Sequence, residues 1–473
     1  MKKIQGDHRV AKATAWYLVC DFILKGISFI TMPIFTRLLT VAEIGKFNSI
    51  TSWLSILSIV VTLNLIQSIY LGRFDFKEEY DGFVSTVALL GMFSAAAFYL
   101  ICFPFRSTLA NWLGLEEYAF DIMCINLIFC QIPNVLVAKY RAELEYKKSV
   151  FISLGSSILV VAASLCCTIL FEDKLKGRVL GLYVSQSVIY AAIFIFLVYK
   201  RNSFKWEYCR YALTICLPLI IHNLAGNLMH SSDRIMIERM DSAESAGLYG
   251  VAYSCAMVTN LLRNSMNSAW DPWVYEKINQ GKTETIKKTS YPYLISFAVI
   301  CIGLIALAPE ALLIMGGPSY LAAKYVVPPV VMAYMFTMVY SLYAGIEQYY
   351  RKQKYFAIVT TVCAALNILL NFFFLPIYGF IAAAYTTLIC MAFECALHYF
   401  HVRRMGYSNL YNTRFNLLLL LIVMGLSAIL MMLYNHNVLR YIVIGIGMIL
   451  IGTLIFWRRD KLREYIQIFS RKE

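Results

Sequence analysis

The sequence predicts an all-α integral membrane protein of about fourteen transmembrane helices, and three observations carry that prediction. Apolar residues make up 60% of the chain and charged residues 15%, with a mean hydropathy of +0.64, outside the range of soluble domains. The apolar runs are long enough to span, because about 20 residues cross a ~30 Å hydrocarbon core as a helix. The cations are sorted by side. With both termini in the cytoplasm, thirty of the 42 lysines and arginines fall there and ten on the opposite side, and only Lys25 and Arg263 lie within spans. That is the positive-inside pattern of a multi-pass inner (plasma) membrane protein. The net charge of +14 therefore needs no nucleic-acid partner, since anionic headgroups account for it.

The runs fall at 14–36, 44–70, 83–105, 118–138, 150–171, 178–199, 212–234, 246–270, 291–315, 326–348, 356–376, 379–400, 415–434 and 438–457. No stretch between them exceeds about twenty residues, which leaves no room for a separate soluble domain. The basic N-terminus runs straight into a long span without a short apolar core and cleavage site, so it reads as an uncleaved first helix. The expected organisation is an N-lobe over 1–210 (spans 1–6), a C-lobe over 211–410 (spans 7–12), and 411–473 with spans 13 and 14 and a basic cytoplasmic tail.

Span 1 holds Asp21 and Lys25, four residues apart on one face, where they can neutralise each other or face a cavity. Gly26 and Pro33 allow it to bend. Span 2 carries Asn48 with a run of serines and threonines that equally suits helix–helix packing. The loop RFDFKEEYDG at 73–82 is a mixed charge cluster that reads as a solvated loop, with no His beside it to make a metal site. Spans 5 and 6 are explained by packing.

Span 7 is different. Asn223, Asn227, His230 and Arg234 are offset by 4, 7 and 11 residues, which stacks them on one narrow helix face. Facing lipid, those groups would be costly, so the face must look onto protein or water. Glu238, at i+4 from Arg234, is a candidate ion-pair partner. Span 8 repeats the pattern with Tyr249, Tyr253, Asn260, Asn264, Asn267 and Asp271, with Arg263 beside the line. Spans 1, 2, 7 and 8 are thus the polar ones, six spans apart, as two six-helix halves around one cationic cavity would give.

Farther along, Glu310 sits at a Pro/Gly break ending span 9, and Glu347 lies near a tyrosine-rich interface at the end of span 10. Glu394 and His398 form an i,i+4 pair in span 12 that reads as interfacial hydrogen bonding. Spans 13 and 14 are almost wholly apolar. The thirteen cysteines show neither metal-ligand nor disulfide spacing and read as small buried hydrophobes. No metal or catalytic cluster is expected, and the absence of a GxxxxGK[ST] loop argues against ATP hydrolysis by this chain.

Three stretches carry a resemblance: PIFTRLL…EIG at 33–45, RAELEYKK at 141–148, and SSDRIMIERMDSAESAGLYGVAYS at 231–254. They resemble the polysaccharide-unit flippases of the multidrug/oligosaccharidyl-lipid/polysaccharide exporter superfamily. The resemblance implies a transporter, not an enzyme. Two lobes would surround a cationic cavity, with spans 13 and 14 making a groove for a lipid tail. The cargo would be an undecaprenyl-diphosphate-linked oligosaccharide for O-antigen, capsule or exopolysaccharide, passed between leaflets by alternating access.

On that reading Arg37, Arg234, Arg263 and Lys25 are the diphosphate contacts. Asn48, Asn223, Asn227, His230, Tyr249, Tyr253, Asn260, Asn264 and Asn267 line the sugar path. Asp21, Asp233 and Asp271 are carboxylates for a coupling cation, H+ or Na+. An outside polysaccharide polymerase that consumes the product is the expected partner. The alternatives are a peptidoglycan-precursor flippase, a cation-coupled drug exporter, which would want an acidic cavity, and a membrane glycan polymerase or ligase, which would want a large outer loop.

Overall fold

The computed structural model describes residues 2–195 and 204–457, and among them there is no strand. The helices are α1 (Lys2–Leu38), α2 (Val41–Val61), α3 (Ile66–Asp75), α4 (Tyr80–Cys102), α5 (Arg106–Leu113), α6 (Glu117–Phe129), α7 (Gln131–Ala142), α8 (Tyr146–Leu170) and α9 (Lys174–Ile193). They continue with α10 (Trp206–Met240), α11 (Ala243–Asn279), α12 (Thr283–Ala306), α13 (Ala308–Met315), α14 (Val327–Tyr349), α15 (Gln353–Tyr378), α16 (Ile381–Arg404), α17 (Thr413–Met432) and α18 (Asn437–Trp457). The expected end of span 6, at 196–199, and the basic tail from 458 lie outside the described residues.

Among the described residues ten helical segments are long and apolar enough to cross a membrane, and α10 is an eleventh if its halves, bent by 44°, are one span. The expected count of fourteen is not reached by that measure. At the three remaining places stand α9, which opens on Lys174, Lys176 and Arg178, α11, diluted by its amides and charges, and α18, apolar from Tyr441 to Trp457.

The chain forms two compact units. The first comprises 1–250, 315–319 and 360–383, and the second 251–314, 320–359 and 384–473.

In the first unit, α2 starts on a capping box. Thr40 accepts from the Glu43 backbone amide, and the Glu43 carboxylate reaches back to the Thr40 N–H at 2.7 Å, so both ends of the TVAE tetrapeptide serve the helix start. The span breaks after α2, where Leu63 and Asn64 take positive φ. The freed carbonyls are met by neighbours: Ser94 Oγ donates to Val61 O at 2.7 Å and Gln131 Nε2 to Thr62 O at 2.6 Å. Irregular backbone at membrane depth is tolerated only with such partners.

One core of this unit packs Leu65, Ile69, Phe83 and Val87 against Tyr208, Ala212 and Cys216. It extends into an aromatic cluster with Phe76 4.9 Å from Phe83 and 4.8 Å from Tyr208. The acidic loop at 73–82, expected to be solvated, is tied down here. Glu79 pairs with Lys205 at 2.7 Å and accepts from the Tyr208 hydroxyl, while Asp75 accepts from Tyr211. Its carboxylates thus fasten the start of α10, and Lys205, then Tyr208, hold the Glu79 carboxyl below the usual carboxylate range.

In the second unit α12, α14 and α17 pack together. Tyr343 accepts from the buried Asn416 amide at 3.2 Å, and Tyr434 donates to Ile305 O at 2.6 Å. At the start of α18 the buried Arg440 donates to Glu310, which also accepts from Tyr441 at 2.6 Å. Glu310, noted in the sequence only as sitting at a helix break, is therefore the anchor for α18.

Candidate functional site

The polar stripe of α10 stands on a helix that the sequence itself weakens. Pro218 lies within it, and the 44° bend falls between Ile221 and Asn223, where the stripe begins. Proline removes one intrahelical hydrogen bond and crowds the preceding turn, so a kink there has a local cause. Beyond the bend, Asn223 and His230 are exposed and Asn227 and Arg234 half-buried. The Oδ1 of Asn227 is a buried acceptor for which no donor is found.

One residue from Arg234, Asp233 is fully buried. It accepts from the Tyr249 hydroxyl at 2.7 Å and from the Asn371 amide at 2.6 Å, and Asn371 in turn approaches Asn367 Oδ1 at 3.4 Å. The first unit thus joins α10, α11 and α15 through one buried carboxylate. Asn367 and Asn371 were missed in the sequence, although two amides at i,i+4 within AALNILLNFFF are a legible polar pair. Tyr249, expected on the sugar path, is buried and its hydroxyl donates to Asp233.

The motifs at 33–45 and 231–254 meet in this unit. A Cβ on Gly45 would overlap the carbonyl of Ala243, one on Gly247 that of Val41, and one on Gly250 the Asn48 amide. The EIG and GLYG stretches are therefore the two halves of a backbone-to-backbone crossing of α2 and α11, which only glycine permits. Asn48, expected on the sugar path, lies half-buried in that crossing, and among the described residues its Nδ2 meets no acceptor.

The remaining candidates of the first unit are separate. Arg37 is exposed and donates to Pro33 O at 2.9 Å. Lys25 is exposed. Asp21, read as a possible partner of Lys25, is instead 2.9 Å from Arg141. A cation not singled out in the sequence, Arg178, sits between the faces of Phe35 and Phe47, 3.9 Å from each centroid; such stacking favours a guanidinium over an ammonium.

In the second unit Arg263 is half-buried and gathered by its neighbours. Its Nε and Nη2 reach Asn260 Oδ1 at 3.1 and 2.9 Å, and Nη2 reaches Asn264 Oδ1 at 2.6 Å. Asn267 accepts from Tyr293 at 2.7 Å, and Tyr293 stacks on Trp270 at 4.1 Å. Asp271, one turn on, is half-buried. Tyr253, expected on the sugar path as well, is buried and accepts from Tyr334 at 3.2 Å.

His398 does not rely on Glu394 as expected. The fully buried Glu347 lies 2.8 Å from His398 Nδ1 and 2.8 Å from His401 Nδ1. No group of His, Cys, Asp or Glu able to hold a metal is found among the described residues.

Chemically, the α10 stripe and the Arg263 cluster offer guanidinium donors flanked by amides, the set that binds phosphate oxygens and hydroxyls. Comparison with known proteins gives this chemistry a family. The model of the family described as "Polysaccharide biosynthesis protein" matches residues 10–278, and the MatE family model matches 218–373. Among curated relatives, the "Lsg locus putative protein 1" of Haemophilus influenzae is 24% identical over 73% of this chain and 86% of its own. A probable low-salt glycan biosynthesis flippase of Haloferax volcanii is 19% identical over 82% of each. Among solved structures, the lipid II flippase MurJ in an inward closed conformation superposes with a TM-score of 0.72 at 15% identity, covering 94% of this chain and 99% of MurJ. An inward-facing multidrug resistance MATE transporter gives 0.59 at 14% identity over 84% and 95%. The chain belongs to the polysaccharide biosynthesis protein family.

Proposed function

We propose that the protein carries an undecaprenyl-diphosphate-linked oligosaccharide repeat unit across the inner membrane by alternating access, for assembly of a surface polysaccharide such as O-antigen or capsule. The observation that carries this reading is the α10 stripe: Asn223, Asn227, His230 and Arg234 share one face of a bent helix of span length. A diphosphate–sugar head cannot cross hydrocarbon unaided, because its charges would lose their hydration at a cost of many kcal/mol. Arg234 and Arg263, with Arg37 and Lys25, are the cations assigned to the diphosphate. The amides Asn223, Asn227 and Asn264 supply hydrogen bonds to the glycan. No covalent bond need form. Asp233 is the carboxylate we assign to a coupling cation, H+ or Na+, because two elements besides its own hold it buried and in place. An outside polymerase that consumes the product would make flux directional.

The test uses a strain lacking its own flippase, complemented with R234A, R234K, R263A and R263K. At equal protein level, the alanine variants should lose most surface polymer, with the lipid-linked unit accumulating by mass spectrometry. The lysine variants should restore only part, because an ammonium lacks the bidentate fork. Normal polymer from all four would remove both arginines from the mechanism.

A further inference from the structure

At the lysine-rich end of the first unit, α7, α8 and α9 line a cavity of about 1050 Å³. One end is charged and the other apolar. Along α8 the wall runs from Lys147 through Phe151 and Gly155 to Leu159, about 18 Å at 1.5 Å per residue, and Ile189 and Ile193 face it from α9. Phe151 and Leu159 are 78% and 59% exposed, and a Cβ on Gly155 would meet nothing within 4 Å. At hydrocarbon depth such a trough fills with an acyl chain, since water gains nothing from apolar walls.

The charged end is balanced. Three lysines (139, 147, 148) face three acids (Asp81, Glu143, Glu145). Lys139 pairs with Asp81, and Lys148 with Glu145 at 2.5 Å. Among the described residues no ion pair engages Lys147 or Glu143. Lys147 stands in the first turn of α8, whose N-cap carboxylate, Glu145, is paired with Lys148, so Lys147 adds to the positive end of the helix dipole and favours a phosphate there. Glu143 is half-buried, and desolvation pushes its carboxyl above the ordinary range, with Lys139 opposing. A cation placed against it would favour its charged form.

We propose that this trough binds one zwitterionic membrane phospholipid of the ethanolamine class. Its phosphate lies against Lys147 and its primary ammonium donates to Glu143, while an acyl chain lies along Phe151, Gly155 and Leu159. Charge sets the choice. A headgroup with only negative charge would bring it against Asp81, Glu143 and Glu145, and a trimethylammonium has no N–H for Glu143. A polyprenyl diphosphate is disfavoured on the same ground, so this site is distinct from the transport path.

The test is native mass spectrometry on the delipidated full-length protein, offered equal amounts of phosphatidylethanolamine, phosphatidylcholine and phosphatidylglycerol, and separately undecaprenyl diphosphate. Phosphatidylethanolamine should be retained about tenfold over each other lipid. E143Q should lose the preference over phosphatidylcholine while still binding, and G155W should lose retention. Should G155W fail to fold, E143Q alone carries the test. Equal retention of the three phospholipids, a preference for phosphatidylglycerol, displacement by undecaprenyl diphosphate or an unchanged E143Q would each overturn the proposal. Lipid binding is read here without transport, so its failure leaves the flippase reading untouched, and the reverse also holds.

Discussion

Asp233 shows why a residue can be visible in a sequence while its role is not. It follows two serines in a span-length helix, one position from Arg234, and adjacency places the two on different helix faces. Arg234 is half-buried, whereas Asp233 turns into the protein and takes donors from Tyr249 and Asn371. A buried carboxylate stripped of a donor keeps its desolvation penalty, so each such hydrogen bond is worth about 1.5–3 kcal/mol. Y249F should therefore lower the melting temperature of the detergent-solubilised protein. D233L should lower it further, because it removes an acceptor from both the Tyr249 hydroxyl and the Asn371 amide. Melting of Y249F at the wild-type temperature would show that the hydroxyl contributes nothing to Asp233. The same geometry explains what sequence reading could not reach. Helical offsets identified Asn223, Asn227, His230 and Arg234 as one face, because that relation is local. The pairing of Glu347 with His398 and His401 depends on which helices become neighbours, and spacing within one helix suggested Glu394 instead.

At the scale of elements, the helical glycines divide into those that touch another helix's backbone and those that do not. Gly45 and Gly247 let α2 and α11 approach until a Cβ on either would overlap the other helix's carbonyl, whereas the space around Gly226, within the α10 stripe, is open to 4 Å. G45A and G247A should each force the helices apart and reduce the yield of monodisperse protein. G226A should be neutral or slightly stabilising, since alanine is preferred to glycine by about 1 kcal/mol inside a helix. Equal behaviour of all three in fluorescence-detected size exclusion would mean that the crossing does not need its glycines. The sequence displayed GLYG as a family mark; the reason for it, a crossing with EIG two hundred residues earlier, required coordinates. The break after α2 is similar. In VVTLNLIQS Asn64 is a residue that tolerates the left-handed region, but nothing local announces Leu63 there, because it is Ser94 and Gln131, on other helices, that satisfy the freed carbonyls.

For the whole molecule, apolar length and charge asymmetry are two independent readings of one arrangement, and they agree unequally. Length and apolarity admit ten or eleven spans, fewer than the fourteen runs read from the sequence, in part because a helix rich in amides and charges is too hydrophilic to pass. The long α11, with Arg263, Asp271 and four asparagines, is the instance. Charge does not suffer from that ambiguity, since it counts loops. The loop holding Gly114 follows α5 on the cation-poor side, and those holding Gly281 and Gly406 lie on the cation-rich side. If α11 crosses despite its polarity, Gly114 and Gly281 lie on opposite faces; if it does not, the side of every later loop is inverted. Alkaline phosphatase fused after Gly114 should therefore be active, and fused after Gly281 or Gly406 inactive, with a green fluorescent protein giving the reverse. Phosphatase activity at Gly281 would mean that the polar helix fails to cross, and with it would fall the placement of Arg263 within the membrane.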